Sequence, residues 1–175
     1  MATKYPPEEI FEIEWTGPYT FDDLKEEGED FTNTLSLYAK YSDHPLYGRK
    51  VLTYIGKAVK QTVLKRLSQH DLGNETIYVG AVYAFKSWKK SQENWDKPYD
   101  EQEYIRHNKG DGDIISRIEE LLIYSLMPAE NTRNKSTAKN SWGYRIFNTG
   151  DTGDLPTEVS GHYALENTPK PQTET

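Results

Sequence analysis

The sequence predicts an α+β domain: a small three-stranded mixed or antiparallel sheet flanked by helices, with an N-terminal extension and a flexible C-terminal tail. Three observations carry this. Strand-like runs occur at 34–41, 51–56 and 76–85. Apolar stripes at helical spacing occur around 61–70 and over 114–126. After Phe147 the composition shifts to Gly, Pro, Thr and acids, which suits a loose segment. The division that follows is 1–31 as an acidic extension packing on the domain, 32–148 as the domain and 149–175 as the tail.

Each element has its own signal. "IFEIEW" (10–15) alternates apolar and polar, as a short strand does. Thr20 followed by Asp23 has capping-box spacing, and Gly28 is a helix stop. "TLSLYAKY" (34–41) sets Leu35, Leu37, Ala39 and Tyr41 against Ser36, Tyr38 and Lys40, a strand with a polar second face. "SDHPLYGRK" is a loop, and "VLTYIG" (51–56) a strand ended by Gly56. Val63, Leu64 and Leu67 form the stripe of the short helix. "TIYVGAVYAF" (76–85) is the clearest strand. Residues 86–112 are polar with Trp88, Trp95 and Tyr99 among charges; 100–107 has helical character, and Trp88, Lys89, Lys90 and Trp95 suit either base stacking or a surface loop. Asp113 caps the helix at 114–126 and Pro128 stops it; Asp111 and Asp113 of "KGDGD" read as turn and cap, not ligands.

Composition narrows the function classes. The chain has 175 residues, no cysteine and a net charge of −7. Disulfides, thiolate zinc sites and cysteine nucleophiles are excluded. No apolar run reaches the ~18–20 residues of a membrane span, and the opening lacks the apolar core of a signal peptide. The expectation is a soluble cytoplasmic protein with no membrane partner. The charge is segregated. Ten acids lie between Glu8 and Asp30, offset only by Lys25. No acid occurs from His44 to His70, where Arg49, Lys50, Lys57, Lys60, Lys65 and Arg66 stand. None occurs from Thr132 to Gly150 either, where Arg133, Lys135, Lys139 and Arg145 stand. Such tracts are solvated faces or anion sites.

Glu119 is the sharpest residue. In "IISRIEELLIYSL" the stripe is Ile115, Ile118, Leu122 and Leu126, widened by Leu121 and Ile123. Helical neighbours lie three and four positions apart, so Glu119 sits beside Ile115, Leu122 and Ile123, whereas Glu120 neighbours Ser116, Arg117 and Tyr124. A carboxylate within an apolar face is paired, binds metal or reaches water at the stripe's margin. Arg66 and His70 share a helix face at i and i+4. That pair suits a phosphate or an ordinary amphipathic border.

These residues together resemble the GIY-YIG nuclease superfamily. "SLY" (36–38) stands where its first motif would, and "YIG" (54–56) matches the second. "LKRLSQH" matches its arginine helix, and "IEELLIYSLMPAEN" its Glu–x–x–Leu–Ile … Pro–x–x–Asn run. The resemblance spans roughly residues 34–131, with a "W–x–G–P–Y" opening and an "HP–x–YG" insertion between the first two strands. Ser36 and Leu37 replace the Gly and Ile of the first motif, and Tyr38 to Tyr54 spans 16 residues.

The resemblance implies a metal-dependent endonuclease that hydrolyses nucleic-acid phosphodiesters, DNA in preference to RNA, by a one-metal mechanism. It implies Glu119 as the ligand of Mg²⁺ (or Mn²⁺). Arg66 neutralises the scissile phosphate, Tyr38 orients or deprotonates water, and Tyr54 bridges water or phosphate. His70 and Lys57 are the groups that could depress the Tyr38 pKa. Lys57, Lys60, Asn131 and Arg133 lie against substrate, Asn131 also fixing the geometry around the glutamate helix. The competing readings are a non-catalytic nucleic-acid-binding module on the same scaffold and a protein-interaction domain without nucleic-acid affinity.

Overall fold

A computed structural model describes residues 9–34, 36–70, 72–85, 104–107, 111–138 and 141–165. Its strands are β1 (Glu9–Tyr19), β2 (Leu37–His44), β3 (Gly48–Lys57), β4 (Thr76–Phe85), β5 (Tyr104–His107), β6 (Tyr144–Gly150) and β7 (Glu158–Ser160). Its helices are α1 (Phe21–Asn33), α2 (Val63–Leu67), α3 (Gly112–Leu126) and α4 (Gly161–Leu165).

The sheet overturns the expected fold class. Six strands form one path, β3-β2-β4-β1-β6-β7, and β5 pairs with β4, giving seven strands instead of three. The expected strands are consecutive in this path, with β2 antiparallel to both β3 and β4, but they make only part of it. β1 lies in the middle, antiparallel to β4 and parallel to β6. A segment read as an extension is therefore a central strand. The reason lies in its alternation: Phe11, Ile13 and Trp15 are buried. Along a strand, alternate residues line one face, and that face needs an apolar partner, which α3 supplies through Ile115, Ile118, Leu121 and Leu122. The stretch after Phe147 is likewise built into the structure as far as Leu165, through the rest of β6, β7 and α4. The helical reading of 100–107 gives way to β5 at 104–107, where backbone pairing with β4 decides. Trp88, Lys89, Lys90, Trp95 and Tyr99 lie outside the described residues.

Two apolar cores hold the sheet. One lies between the sheet and α3; the other lies on the opposite face under α1 and α2, around Leu24, Tyr38, Val63, Leu67, Ile77 and Val79. β2 is buried on both faces, from Leu37 to Tyr41, so its second face is not solvated as expected. Lys40 is tolerated there because its Nζ meets both Glu75 oxygens at 2.9 and 3.0 Å.

The termini of the helices follow local rules. The Thr20–Asp23 capping box forms, with Thr20 N–H donating to Asp23 Oδ2 at 2.7 Å and Asp23 N–H to Thr20 Oγ1 at 3.2 Å. Gly28, at φ 86, breaks α1 into two helical segments, a conformation that costs glycine little. α3 begins two residues earlier than expected, so Asp113 lies in its first turn, where it still favours the helix dipole.

Candidate functional site

β2, the end of β3 and the segment after it, α2, the middle of α3 and the chain after α3 converge on a cleft of about 650 Å³. Its lining includes Tyr38, Tyr54, Lys57, Lys60, Arg66, Glu119, Asn131 and Arg133. Every candidate residue from the sequence except His70 is thus brought to one place.

Strand register explains the tyrosines. Tyr38 pairs with Gly56, and Lys40 with Tyr54. The period of two puts these four positions on one face. The Tyr38 and Tyr54 rings stack at 6.0 Å with an interplanar angle of 18°. Gly56 leaves the space: a Cβ there would collide with Cζ and the phenol oxygen of Tyr38 and lie 2.8 Å from Tyr54 Cε1. We expect Gly56→Ala to displace Tyr38, destabilise the fold by about 1–3 kcal/mol and reduce site function at temperatures where the variant is folded. Thermal denaturation alongside the substrate assays at low temperature checks both; a wild-type Tm would contradict the collision.

Glu119 comes from α3 and Lys57 from the end of β3. Lys57 Nζ lies 2.8 Å from Glu119 Oε2, and the glutamate side chain is only 12% exposed. Burial pushes the Glu119 pKa above its ordinary value, and Lys57 opposes that rise. Of the readings open for this residue, the water-facing margin is therefore the one the geometry disfavours. The pairing with Lys57 had no sequence signal, since 62 positions separate the two.

Arg66 projects from α2, whose first turn is capped by Thr62: its Oγ1 accepts from Lys65 N–H at 3.1 Å. Arg66 Nη1 donates to Gln69 Oε1 at 3.2 Å, which steadies the guanidinium. Gln69 is one turn on from Arg66, so helical spacing could have found it. Lys60 is exposed at the rim. Arg133 reaches the cleft because the chain after α3 docks on β3. Ala129 N–H donates to Leu52 O at 3.2 Å and Glu130 N–H to Thr53 O at 2.8 Å. Asn131 completes that docking. Its Oδ1 accepts from Ile55 N–H and its Nδ2 donates to Ile55 O, both at 2.9 Å. The amide is thus engaged at both ends by backbone, so Asn131 is a positioning residue and not the substrate contact expected of it.

Two further expectations are corrected by burial. His70 does not line the cleft; its ring lies 6.0 Å from that of Tyr54, tilted at 52°, with Nε2 buried and without a hydrogen bond. Burial, with Lys40 and Arg66 nearby, pushes the His70 pKa down. A neutral imidazole supplies no positive charge to Tyr38. The Tyr38 pKa is itself raised, by burial first and by Tyr54 next, against the opposing pull of Arg66. Tyr38 is therefore a neutral phenol, and its buried hydroxyl faces the Arg66 side chain.

A hard divalent cation fits this donor set in one way. Among the described residues Glu119 is the only acid lining the cleft, and they hold no cluster of three His, Cys, Asp or Glu. Mg²⁺ is commonly held by one or two carboxylates, with waters and phosphate oxygens completing six ligands. A buried carboxylate that needs a cation to balance it suits that role. Lys57 supplies the balancing charge in this structure.

No family model matches the chain, and no curated protein and no solved structure matches it. No helix among the described residues is long and apolar enough to cross a membrane.

Proposed function

We propose that the chain is a divalent-metal-dependent endonuclease of the GIY-YIG kind. It would hold nucleic acid, DNA in preference to RNA, by its phosphates in the cleft and hydrolyse a phosphodiester there. One observation carries this: Lys57, Lys60, Arg66 and Arg133 surround a single buried carboxylate and two tyrosines, in a chain of net charge −7. The cations have been gathered at one place, against the overall charge.

Each side chain has a part. Arg66 and Lys60 hold the phosphate, Arg66 forking two of its oxygens. The Tyr38 hydroxyl, buried beside Arg66, accepts a hydrogen bond from the attacking water or donates one to a phosphate oxygen. Tyr54 extends the same polar edge. Glu119 and water would hold Mg²⁺ or Mn²⁺, which when bound supplies positive charge to the phosphate and the leaving oxygen. Tyr38 orients and does not deprotonate.

The test is cleavage of supercoiled plasmid and labelled single strands with Mg²⁺, Mn²⁺ or EDTA. Metal-dependent cutting is expected; a folded protein that cuts none of these substrates would refute hydrolysis. Binding gives a second measure. Arg66→Ala and Lys60→Ala should each lower the salt slope of duplex affinity by about 0.9, measured by anisotropy across a salt series.

The pH profile follows from burial. A raised carboxyl pKa means Glu119 gains its proton earlier as pH falls. Cleavage should therefore decline on acidification at a pH above the ordinary glutamate value of 4.5. Tyr38, raised from 10.0, stays protonated and adds no ionisation between about pH 6 and pH 9. A rate that rises through that range in the wild type but not in Tyr38→Phe would reinstate tyrosine as a base.

The non-catalytic binding module is favoured by one observation: Glu119 is already in direct contact with Lys57 and no second acid lines the cleft. EDTA-insensitive binding without cleavage would support it.

A further inference from the structure

The tip of the β2–β3 hairpin lies away from the cleft and is more tightly organised than a solvent loop requires. His44 Nδ1 accepts from the backbone N–H of Leu46 at 3.2 Å and of Tyr47 at 3.3 Å. Asp43 Oδ1 accepts from Lys50 N–H at 3.0 Å, and Lys50 is held at φ 52, in the left-handed region. The His44 and Tyr47 rings stack at 4.7 Å with an interplanar angle of 29°. Yet this fixed turn presents apolar surface. Leu46 is 85% exposed and Tyr47 68%, side by side, and neither belongs to the two cores. Arg49 and Lys50 follow them, also exposed. The tip opens the tract from His44 to His70 that contains no acid and leads along β3 to Lys57 and Lys60.

We infer that this tip is a base-contacting wedge: Leu46 and Tyr47 stack on or insert between bases, while Arg49 and Lys50 hold the flanking phosphates. The inference rests on the proposed reading of the cleft as a phosphate site. Charge complementarity selects the partner: exposed Arg49 and Lys50 beside Tyr47, in a tract without acids, suit a polyanion, and nucleic acid is the polyanion that also offers a continuous array of rings. Aromatic side chains gain from base stacking without reading sequence, and apolar wedges open base steps. The rigid turn lowers the ordering cost of insertion. Geometry allows one strand to serve both places. β2 carries Tyr38 near its start and His44 at its end. At ~3.3 Å per residue the tip lies about 20 Å from Tyr38, or about six nucleotides at 3.4 Å each.

The test uses the full chain and a fluorescein-labelled dT20 strand, with a second dT20 carrying one 2-aminopurine. The variants are Leu46→Ser/Tyr47→Ser, Arg49→Ala/Lys50→Ala and Arg66→Ala. The positions at the tip are exposed, so circular dichroism and Tm should match wild type in the first two. The Leu46→Ser/Tyr47→Ser protein should bind about tenfold more weakly or worse, with an unchanged salt slope and without the 2-aminopurine emission change of the wild type. Arg49→Ala/Lys50→Ala should instead reduce the slope. If Leu46→Ser/Tyr47→Ser binds as wild type while Arg66→Ala binds weakly, the cleft reading stands and the wedge is overturned. If that double variant alters only the size-exclusion volume, the tip is a self-association face and the wedge is again overturned. Absence of wild-type binding at any salt overturns the cleft reading, and the wedge with it.

Discussion

Glu119→Ala is expected to eliminate metal-dependent cleavage while leaving affinity for nucleic acid equal to or above that of the wild type. The two halves have one cause. Among the described residues Glu119 is the only acid lining a cleft that otherwise carries Lys57, Lys60, Arg66 and Arg133. Without it the cleft is more positive, and Lys57, now without its carboxylate 2.8 Å away, is released toward phosphate. Phosphate binding therefore strengthens. Cleavage fails because the carboxylate that would hold the divalent ion is gone, with an expected loss of at least the ~10²–10³-fold seen when one preorganised charge-stabilising group is removed. Plasmid nicking with Mn²⁺ and anisotropy with EDTA separate the effects. Parallel loss of cutting and binding would mean that Glu119 holds the site's shape instead. Undiminished cutting would remove Glu119 from the chemistry altogether. Glu119→Gln, which keeps the volume and a polar end, should behave like alanine in cleavage.

Trp15→Ala is expected to cost about 3–5 kcal/mol, a large part of the ~5–15 kcal/mol that stabilises a domain. Trp15 is fully buried and its Nε1–H donates to Asn148 Oδ1 at 2.9 Å. Alanine leaves a void against the face of α3 and a buried amide oxygen with one partner fewer. The same logic applies more severely to removing residues 1–31. β1 is the strand that joins β4 to β6. Without it the path β3-β2-β4 is cut from β6-β7, and Ile115, Ile118 and Leu122 lose Phe11, Ile13 and Trp15 as neighbours in the core. Urea denaturation of Trp15→Ala should show the midpoint falling at constant slope. The truncated chain should show no cooperative transition. A truncated protein with the wild-type midpoint would return β1 to the status of an extension.

How legible the protein was in its sequence depends on the kind of claim. Alternation at 10–15 identified a strand but could not say that the strand is central, because a face that needs covering does not name what covers it. The three expected strands show in their local alternation and apolar runs, and the capping box at Thr20 in its three-residue spacing, so these could be read, although β2 pairs with distant β4. β5, β6 and β7 could not: their residues become strands through pairing with distant segments, and the composition after Phe147 suggested a tail. At the site, helix geometry distinguished Glu119 from Glu120, and the absence of acids from His44 to His70 marked the cationic wall of the cleft. Those are facts of local spacing and composition.

The tertiary structure alone decided what state these groups are in and which are free to act. His70 has the spacing of a phosphate ligand, but packing leaves it out of the cleft lining, and burial with Lys40 and Arg66 nearby lowers its pKa. Asn131 has the chemistry of a substrate contact, yet Ile55 takes both ends of its amide. Tyr38 has the place of a water-activating tyrosine, but desolvation keeps it a neutral phenol. The sequence by itself determined the inventory and the faces: which side chains exist, at what spacing, with which charges excluded. Burial and pairing across the fold determined protonation and availability, because the energy of a charge or a hydrogen bond depends on the groups around it, and those groups come from elsewhere in the chain.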